Sequence, residues 1–199
     1  MDFTKRSKEH EKFLKLLALD VPRALDIFAK LEFIVGLNVS LKSKQLVLLE
    51  NDDFKALAIF TSSASLNDFS SLARPLVLNG LEISDMALNS PTKLLAIDPP
   101  NGHRLLTGSM LSAVIERENW IDPAQSKELK LEIASYLDEH SNLDFRVEVG
   151  EWSDLRIYLR GSGDEAATIA PKLALFLKES PIALSFMPSG ADIIYETVD

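Results

Sequence analysis

The chain has 199 residues, of which 46% are hydrophobic and 26% are charged, and this composition excludes a wholly disordered protein. The formal net charge of −9 disfavours nucleic-acid binding, because a phosphate backbone repels an acidic surface. The sequence contains no cysteine, which excludes disulfides and thiolate metal sites.

The N-terminal residues are polar and lack the apolar core of a signal peptide. No stretch reaches the roughly 18 consecutive apolar residues of a membrane-spanning helix. We therefore predict a cytoplasmic protein that does not bind membranes. The sequence indicates no metal and no cofactor.

In the first half of the chain, hydrophobic spacing predicts two amphipathic helices, followed by short strands and helices. Asp20 is a good N-cap residue, and Pro22 lies in the first turn of the second helix. The cluster at residues 50–53 separates two β-like runs and predicts a hairpin. Ser65, with Asp68 three residues later, predicts the start of a short helix. The other elements expected in this half are strands at 33–39, 75–78, 93–97 and 104–106 and helices at 80–88 and 109–116.

The polar stretch 117–123 is the best candidate for a domain boundary. Residues 1–118 carry 14 basic and 15 acidic side chains, whereas residues 119–199 carry 7 and 15. A helix is expected to start at Asp122, which is followed by proline. The sequence therefore predicts an N-terminal domain over 1–118 and an acidic C-terminal domain over 119–199.

The second half predicts a small unit with the element order α-β-β-α-β-β. Hydrophobic and polar residues alternate along 143–149 and 155–160, which is typical of an antiparallel hairpin with one wet face. Asp164 is expected to cap the next helix, and residues 182–187 and 192–197 are expected to form a second hairpin. Together, the two halves predict an α+β fold with mixed or antiparallel sheets and helices packed on one face.

Two loops carry polar residues suited to a small anionic ligand. Hydroxyl side chains between a strand and a helix can hold an anion with the free N–H groups of the helix, although a helix cap with a hydroxyl turn is the more common reason for such residues. The loop after residue 98 is rich in proline and glycine, and exposed loops often carry function. The candidate ligand-binding residues are Thr61, Ser62, Ser63, Ser65, Asn101, His103 and Arg104.

The outward residues of the hairpin at 143–160 suggest a contact surface for a protein partner. Most of them are acids and arginines, which can pair across neighbouring strands. Such pairing does not explain Trp152 or Tyr158, and aromatic residues and Arg are enriched at interface hot spots. Trp152, Arg156 and Tyr158 are therefore predicted to bind a partner. Arg156 and Tyr158 are expected to point into solvent, so that replacing them by Ala leaves folding nearly intact.

Two strand segments carry a resemblance to a known family. Residues 56–62 read Ala-Leu-Ala-Ile-Phe-Thr-Ser, and residues 94–99 read Leu-Leu-Ala-Ile-Asp-Pro. With the amphipathic helix before them, they resemble the N-terminal domain of the SseB-like family, named for enhanced serine sensitivity, over roughly residues 20–116. Asp98 stands where that family has Asn, and Pro100 stands where glycine is commoner. The resemblance implies a bacterial, cytoplasmic α+β protein, often with a second C-terminal domain, and it implies no catalytic residues.

The sequence leaves three hypotheses about function. No Ser-His-Asp or paired-carboxylate arrangement can be singled out, so we assign no catalytic residue. The first hypothesis is a non-enzymatic binding or adaptor protein that acts through a protein partner. The alternatives are a regulator that binds a small anion or amino acid, and a hydrolase or transferase that uses His103.

Overall fold

A computed structural model describes residues 5–39, 44–52, 54–99 and 104–197. The chain divides into two compact units, Met1–Trp120 and Ile121–Asp199, and the boundary predicted from the sequence lies two residues before this division. Each unit has its own mixed sheet, of seven and three strands, and its own hydrophobic core. The predicted α+β fold class is confirmed.

The first unit contains five helices and seven strands among its described residues. The helices are α1 (Lys8–Leu16), α2 (Val21–Phe28), α3 (Ser63–Phe69), α4 (Gly80–Leu88) and α5 (Gly108–Glu116). The strands are β1 (Glu32–Val39), β2 (Lys44–Leu46), β3 (Leu48–Glu50), β4 (Lys55–Phe60), β5 (Arg74–Asn79), β6 (Leu95–Ile97) and β7 (Arg104–Leu106).

The strands of the first unit form one sheet in the order β2-β1-β4-β6-β7, with β3 also paired to β4 and β5 to β1. Within the described strands of this sheet, β4 and β6 are parallel and every other pair is antiparallel. Parallel strands end on the same side of a sheet, so the residues that follow β4 and β6 are brought together.

Both faces of this sheet are covered. Along β4, Leu57 and Ile59 face the larger core, which also takes side chains from α1, α2, α4 and α5. The alternate residues Ala58 and Phe60 face a smaller core with Leu66 of α3. Because successive strand residues point to opposite faces, a strand buried on both sides appears in the sequence as an unbroken apolar run.

Several helices begin where the sequence predicts them, because capping residues lie at these positions. Asp20 caps α2 by accepting a hydrogen bond from the backbone N–H of Arg23 at 3.2 Å. Asn79 and Glu82 form a reciprocal capping box at the start of α4. These caps satisfy backbone N–H groups that have no partner within the helix.

The second unit has three helices and three strands among its described residues. After a single 3-10 turn at Pro123–Gln125, the elements are α6 (Lys127–His140), β8 (Asp144–Val149), β9 (Leu155–Gly161), α7 (Gly163–Glu179), α8 (Pro181–Phe186) and β10 (Ala191–Thr197). The central strand β9 is antiparallel to β8 and parallel to β10. Side chains from all three helices pack with Leu155, Ile157 and Leu159 of β9, so the helices cover one face of the sheet.

The predicted α-β-β-α-β-β order of the second unit is wrong at one element. Residues 182–187 were expected to be a strand of a second hairpin, but they lie in α8 and its C-terminal cap. The Ser180 hydroxyl accepts from the backbone N–H of Ala183 at 3.1 Å, and Pro181 occupies the first turn. A capping serine followed by proline is a helix start, and here it outweighs the apolar run. The last strand therefore returns parallel to β9.

Two predicted helix starts in the second unit also shift. Asp122 caps the 3-10 turn, and Ser126 caps the longer helix α6 by accepting from Leu129 N–H at 3.2 Å. Helix α7 begins after Ser162, which places Asp164 inside its first turn rather than at its cap. Asp164 still lies near the positive end of the helix dipole, where a carboxylate is favourable.

Gly80, at the start of α4, provides a test of packing between α2 and α4. A Cβ atom at residue 80 would lie 2.0 Å from the carbonyl oxygen of Phe28, a backbone atom that cannot rotate away. We expect Gly80→Ala to lower the free energy of unfolding by about 1–3 kcal/mol or more. Gly36→Ala is the comparison variant, because its nearest neighbours are side-chain methyl groups at 2.8 and 2.9 Å. Urea denaturation should show the larger loss for Gly80→Ala, and equal losses would contradict this packing.

Candidate functional site

The ends of the parallel strands β4 and β6 are joined by a buried carboxylate. Thr61 follows β4, and Asp98 follows β6. The backbone N–H of Thr61 donates to Asp98 Oδ1 at 2.9 Å, and the Thr61 hydroxyl donates to Oδ2 at 2.6 Å. Asp98 is 3% exposed and has a left-handed backbone with φ of 47°. Asp tolerates this conformation better than most residues, so a short polar side chain is suited to this position.

Arg6 completes the cluster around Asp98. Its Nη2 donates to Asp98 Oδ2 at 2.6 Å, and its Nε donates to Thr61 Oγ1 at 3.0 Å. A buried carboxylate is costly unless it is paired and hydrogen-bonded. Arg6 therefore neutralises Asp98 and attaches the segment before α1 to the end of the sheet. We call Arg6, Thr61 and Asp98 the Asp98 cluster.

The hydroxyl residues predicted to bind an anion make contacts within the protein. Thr61 donates to Asp98, so an internal carboxylate is bound where an external anion was expected. The Ser62 hydroxyl caps α3 by accepting from Ser65 N–H at 3.2 Å, and the two hydroxyl oxygens lie 3.0 Å apart. The sequence placed the helix start at Ser65, but Ser65 lies inside α3. Ser63, the first residue of α3, is half-buried.

The second predicted ligand loop is described only at its end. Asn101 and His103 lie outside the described residues, so the hypothesis of a hydrolase or transferase that uses His103 gains no support from the structure. Arg104 begins β7 and is exposed. Its Nη1 donates to the backbone carbonyl of Leu14 in α1.

His10 is a buried residue that the sequence analysis did not single out. Its Nε2 lies 2.9 Å from the Glu32 carbonyl, and its Nδ1 lies 2.9 Å from the Ser7 hydroxyl. A carbonyl can only accept, so Nε2 carries the proton and Nδ1 accepts from Ser7. Burial lowers the pKa of His10, which keeps the ring neutral. In the sequence, the helical spacing between His10 and Phe13 could have indicated that both residues face the core. In the structure, His10 joins α1 to β1.

The second candidate site is the face of the three-stranded sheet that is opposite the helices. We call it the outer face and define it by three residues from each strand. They are Asp192, Ile194 and Glu196 of β10, Arg156, Tyr158 and Arg160 of β9, and Glu148, Arg146 and Asp144 of β8. The strand register places Ile194, Tyr158 and Arg146 in the middle row, and charged residues occupy the rows on both sides.

Tyr158 lies at the centre of the outer face and packs against Arg146. The guanidinium carbon of Arg146 is 3.5 Å from the centre of the Tyr158 ring, within the range of a cation–π interaction. A hydrogen bond with Tyr158 is the largest cause of the raised pKa of Arg156. The Tyr158 ring is therefore covered by a cation from the neighbouring strand β8.

Glu196 organises one side of the outer face. Its Oε1 accepts from Arg146 Nη2 at 2.6 Å, and its Oε2 accepts from Arg160 Nε at 2.8 Å. The hydrogen bond from Arg146, followed by that from Arg160, lowers the pKa of Glu196 to about 2. One carboxylate thus connects the arginines of β8 and β9.

The predicted partner residues are less exposed than the sequence suggested. Arg156 and Tyr158 are half-buried, and the Arg156 side chain is 22% exposed. Arg156 also lies 3.9 Å from the carboxylate of Asp192 and 3.6 Å from that of Glu151. The expectation that both side chains point freely into solvent is wrong, because neighbouring residues pack against them. Trp152 is half-buried in the connection between β8 and β9.

Two further properties concern the part of the chain that the structure describes. In these residues, no group of three or more His, Asp or Glu side chains is placed to hold a metal ion. None of the helices described has both the length and the apolar character that crossing a membrane requires.

Comparison with known proteins identifies no relative. No family model matches the chain, and no curated protein or solved structure matches it. The resemblance to the SseB-like family therefore stays a prediction from the strand motifs at residues 56–62 and 94–99.

The ion pairs of Glu196 predict that the free energy of unfolding depends on pH in the acidic range. The folded protein lowers the pKa of this carboxyl from 4.5 to about 2. Its contribution is therefore complete above pH 4.5 and is lost as the pH falls from 4.5 towards 2. We expect the difference in unfolding free energy between wild type and Glu196→Gln to shrink across this interval, as measured by urea denaturation. Glu179→Gln, which removes an exposed carboxylate of α7, is the control, and a Glu196→Gln difference that is constant with pH would contradict the assignment.

Proposed function

We propose that the protein is an adaptor that binds a protein partner through the outer face of its second sheet. The observation that carries the proposal is the middle row of that face. Ile194 is 38% exposed and lies beside Tyr158, and Arg146 lies on the other side of Tyr158 in the same row. An apolar and aromatic centre within a charged border is the usual arrangement of a protein interface.

The charges around this row indicate the chemistry of the partner. With neighbouring Glu151 included, five carboxylates and three guanidiniums give the surface an excess of two negative charges. Residues 119–199 as a whole carry 15 acidic and 7 basic side chains. We therefore infer a partner that presents Lys and Arg side chains around an apolar residue. The same excess of negative charge disfavours nucleic acids as ligands of this unit.

Contacts among the outer-face residues order their side chains before any partner binds, which favours binding. Glu196 fixes Arg146 and Arg160, and Arg146 in turn packs against Tyr158. Side chains that are already ordered lose less conformational entropy when a partner binds. A partner would thus meet a Tyr158–Arg146 pair whose position is set before contact.

The proposed location is a reducing cytoplasm, which is supported by the absence of cysteine from the sequence. Membership of the SseB-like family would agree with this location, and it belongs to the same proposal. The second function considered, a regulator that binds a small molecule, concerns the first unit and is developed below.

The outer face can be tested by placing a charge at its apolar centre. We expect Ile194→Asp to weaken binding of the main partner at least about tenfold, because it puts a carboxylate into a contact that should be desolvated. The partner is first recovered from cells of the source organism and then titrated as a purified protein by calorimetry. Binding should also weaken with added salt, because basic and acidic surfaces attract each other.

Leu131→Asp is the matched control. Leu131 is 68% exposed on α6, which packs against the opposite face of the sheet, and the change adds the same charge. It should leave binding unchanged. Undiminished binding by Ile194→Asp, or loss of binding in Leu131→Asp, would overturn the proposal. Thermal melts of both variants establish that the fold is retained.

A further inference from the structure

The first unit contains a cleft that is separate from the outer face. It has a volume of about 480 Å³ and lies between α1 and the ends of β6 and β7, next to the Asp98 cluster. Its position is beside the carboxyl ends of the parallel strands β4 and β6, where α/β sheets commonly bind ligands. The volume is within the range of small-molecule sites.

Three cations line this cleft, although the chain as a whole is acidic. They are Arg6 before α1, Lys15 in the last turn of α1, and Arg104 at the start of β7. Among the residues that the structure describes, Lys15 and Arg104 have no ion-pair partner. Arg104 is held in place by its hydrogen bond to the Leu14 carbonyl.

Two carboxylates also line the cleft, and their effects differ. Asp98 already accepts three hydrogen bonds from Thr61 and Arg6, so its charge is neutralised within the protein. Glu11 is exposed and one helical turn from Lys15, so it is the carboxylate that opposes an anionic ligand. The remaining balance is positive, because Lys15 and Arg104 together outweigh Glu11.

The cleft also has an apolar part. Leu14 of α1 is half-buried, and Ile97 at the end of β6 is buried. A purely hydrated anion such as phosphate gains nothing from these side chains, whereas a carboxylic acid with a short aliphatic chain can contact them. Arginine additionally matches the planar geometry of a carboxylate.

We propose that this cleft binds a short aliphatic carboxylate. Its carboxylate lies against Lys15 and Arg104, and its hydrocarbon part lies against Leu14 and Ile97. Arg6 is engaged with Asp98 and Thr61, so it forms a wall of the site rather than the main contact. This inference does not depend on the outer face, since the residues that carry it belong to the other unit.

The probe is sodium 3-methylbutanoate, and the readout is the amide NMR spectrum of the full chain at constant ionic strength. We expect saturable shifts at residues 11–15 and 97–98. The neutral isostere 3-methylbutanamide and inorganic phosphate should give no saturable shifts there. Equal binding of the amide would overturn the role of charge, and the same shifts with phosphate would overturn selectivity for an aliphatic acid.

Lys15→Gln is the principal variant, because its side chain is exposed and its loss does not disturb the core. We expect it to weaken 3-methylbutanoate binding about tenfold. Lys12→Gln, an exposed change of the same kind on α1 but outside the cleft, should bind as wild type. Unchanged affinity in Lys15→Gln, or an equal loss in Lys12→Gln, would overturn the proposal. Neither change alters the outer face, so failure here is distinct from failure of partner binding.

Discussion

The fold of the first unit depends on the pairing of the Asp98 carboxylate. Burying an unpaired charge costs several kcal/mol, so Asp98 requires the donors that Thr61 and Arg6 supply. Those contacts fix the ends of β4 and β6 relative to each other and determine where the chain enters α1. The buried charge of Asp98 is therefore balanced by an arginine that lies before α1.

Glu196 accepts hydrogen bonds from two arginines, Arg146 and Arg160, but it lies at the surface. Exposed ion pairs contribute little to stability, because water already solvates the separate charges. Their effect on the outer face is positional, since Glu196 holds Arg146 where its guanidinium covers the Tyr158 ring. The two clusters thus use similar chemistry differently: the Asp98 cluster secures the backbone, and the Glu196 pairs order a surface.

Elements in which the capping residues and the hydrophobic spacing agree were predictable from the sequence. The helix expected at residues 80–88 has these bounds in the structure, because Asn79 and Glu82 cap it and its apolar spacing is regular. At residues 182–187 the apolar run indicated a strand, whereas Ser180 and Pro181 indicated a helix start. The segment forms a helix, so the capping signal outweighed the apolar run. The Asp98 cluster was not predictable in this way, because Arg6 and Asp98 are 92 residues apart and no local pattern links them. The packing of Arg146 over Tyr158 was not predictable either, because it depends on the register between β8 and β9.

The uneven charge of the chain separates the two proposed binding chemistries. Residues 1–118 are almost neutral, which allows Lys15 and Arg104 to set the local potential of the cleft. Residues 119–199 are strongly acidic, so an aliphatic carboxylate is repelled by the outer face and a basic protein is attracted to it. Conversely, Lys15 and Arg104 repel a basic partner from the cleft. The two proposals together therefore predict that specificity between the surfaces arises from repulsion of the wrong ligand as much as from attraction of the right one.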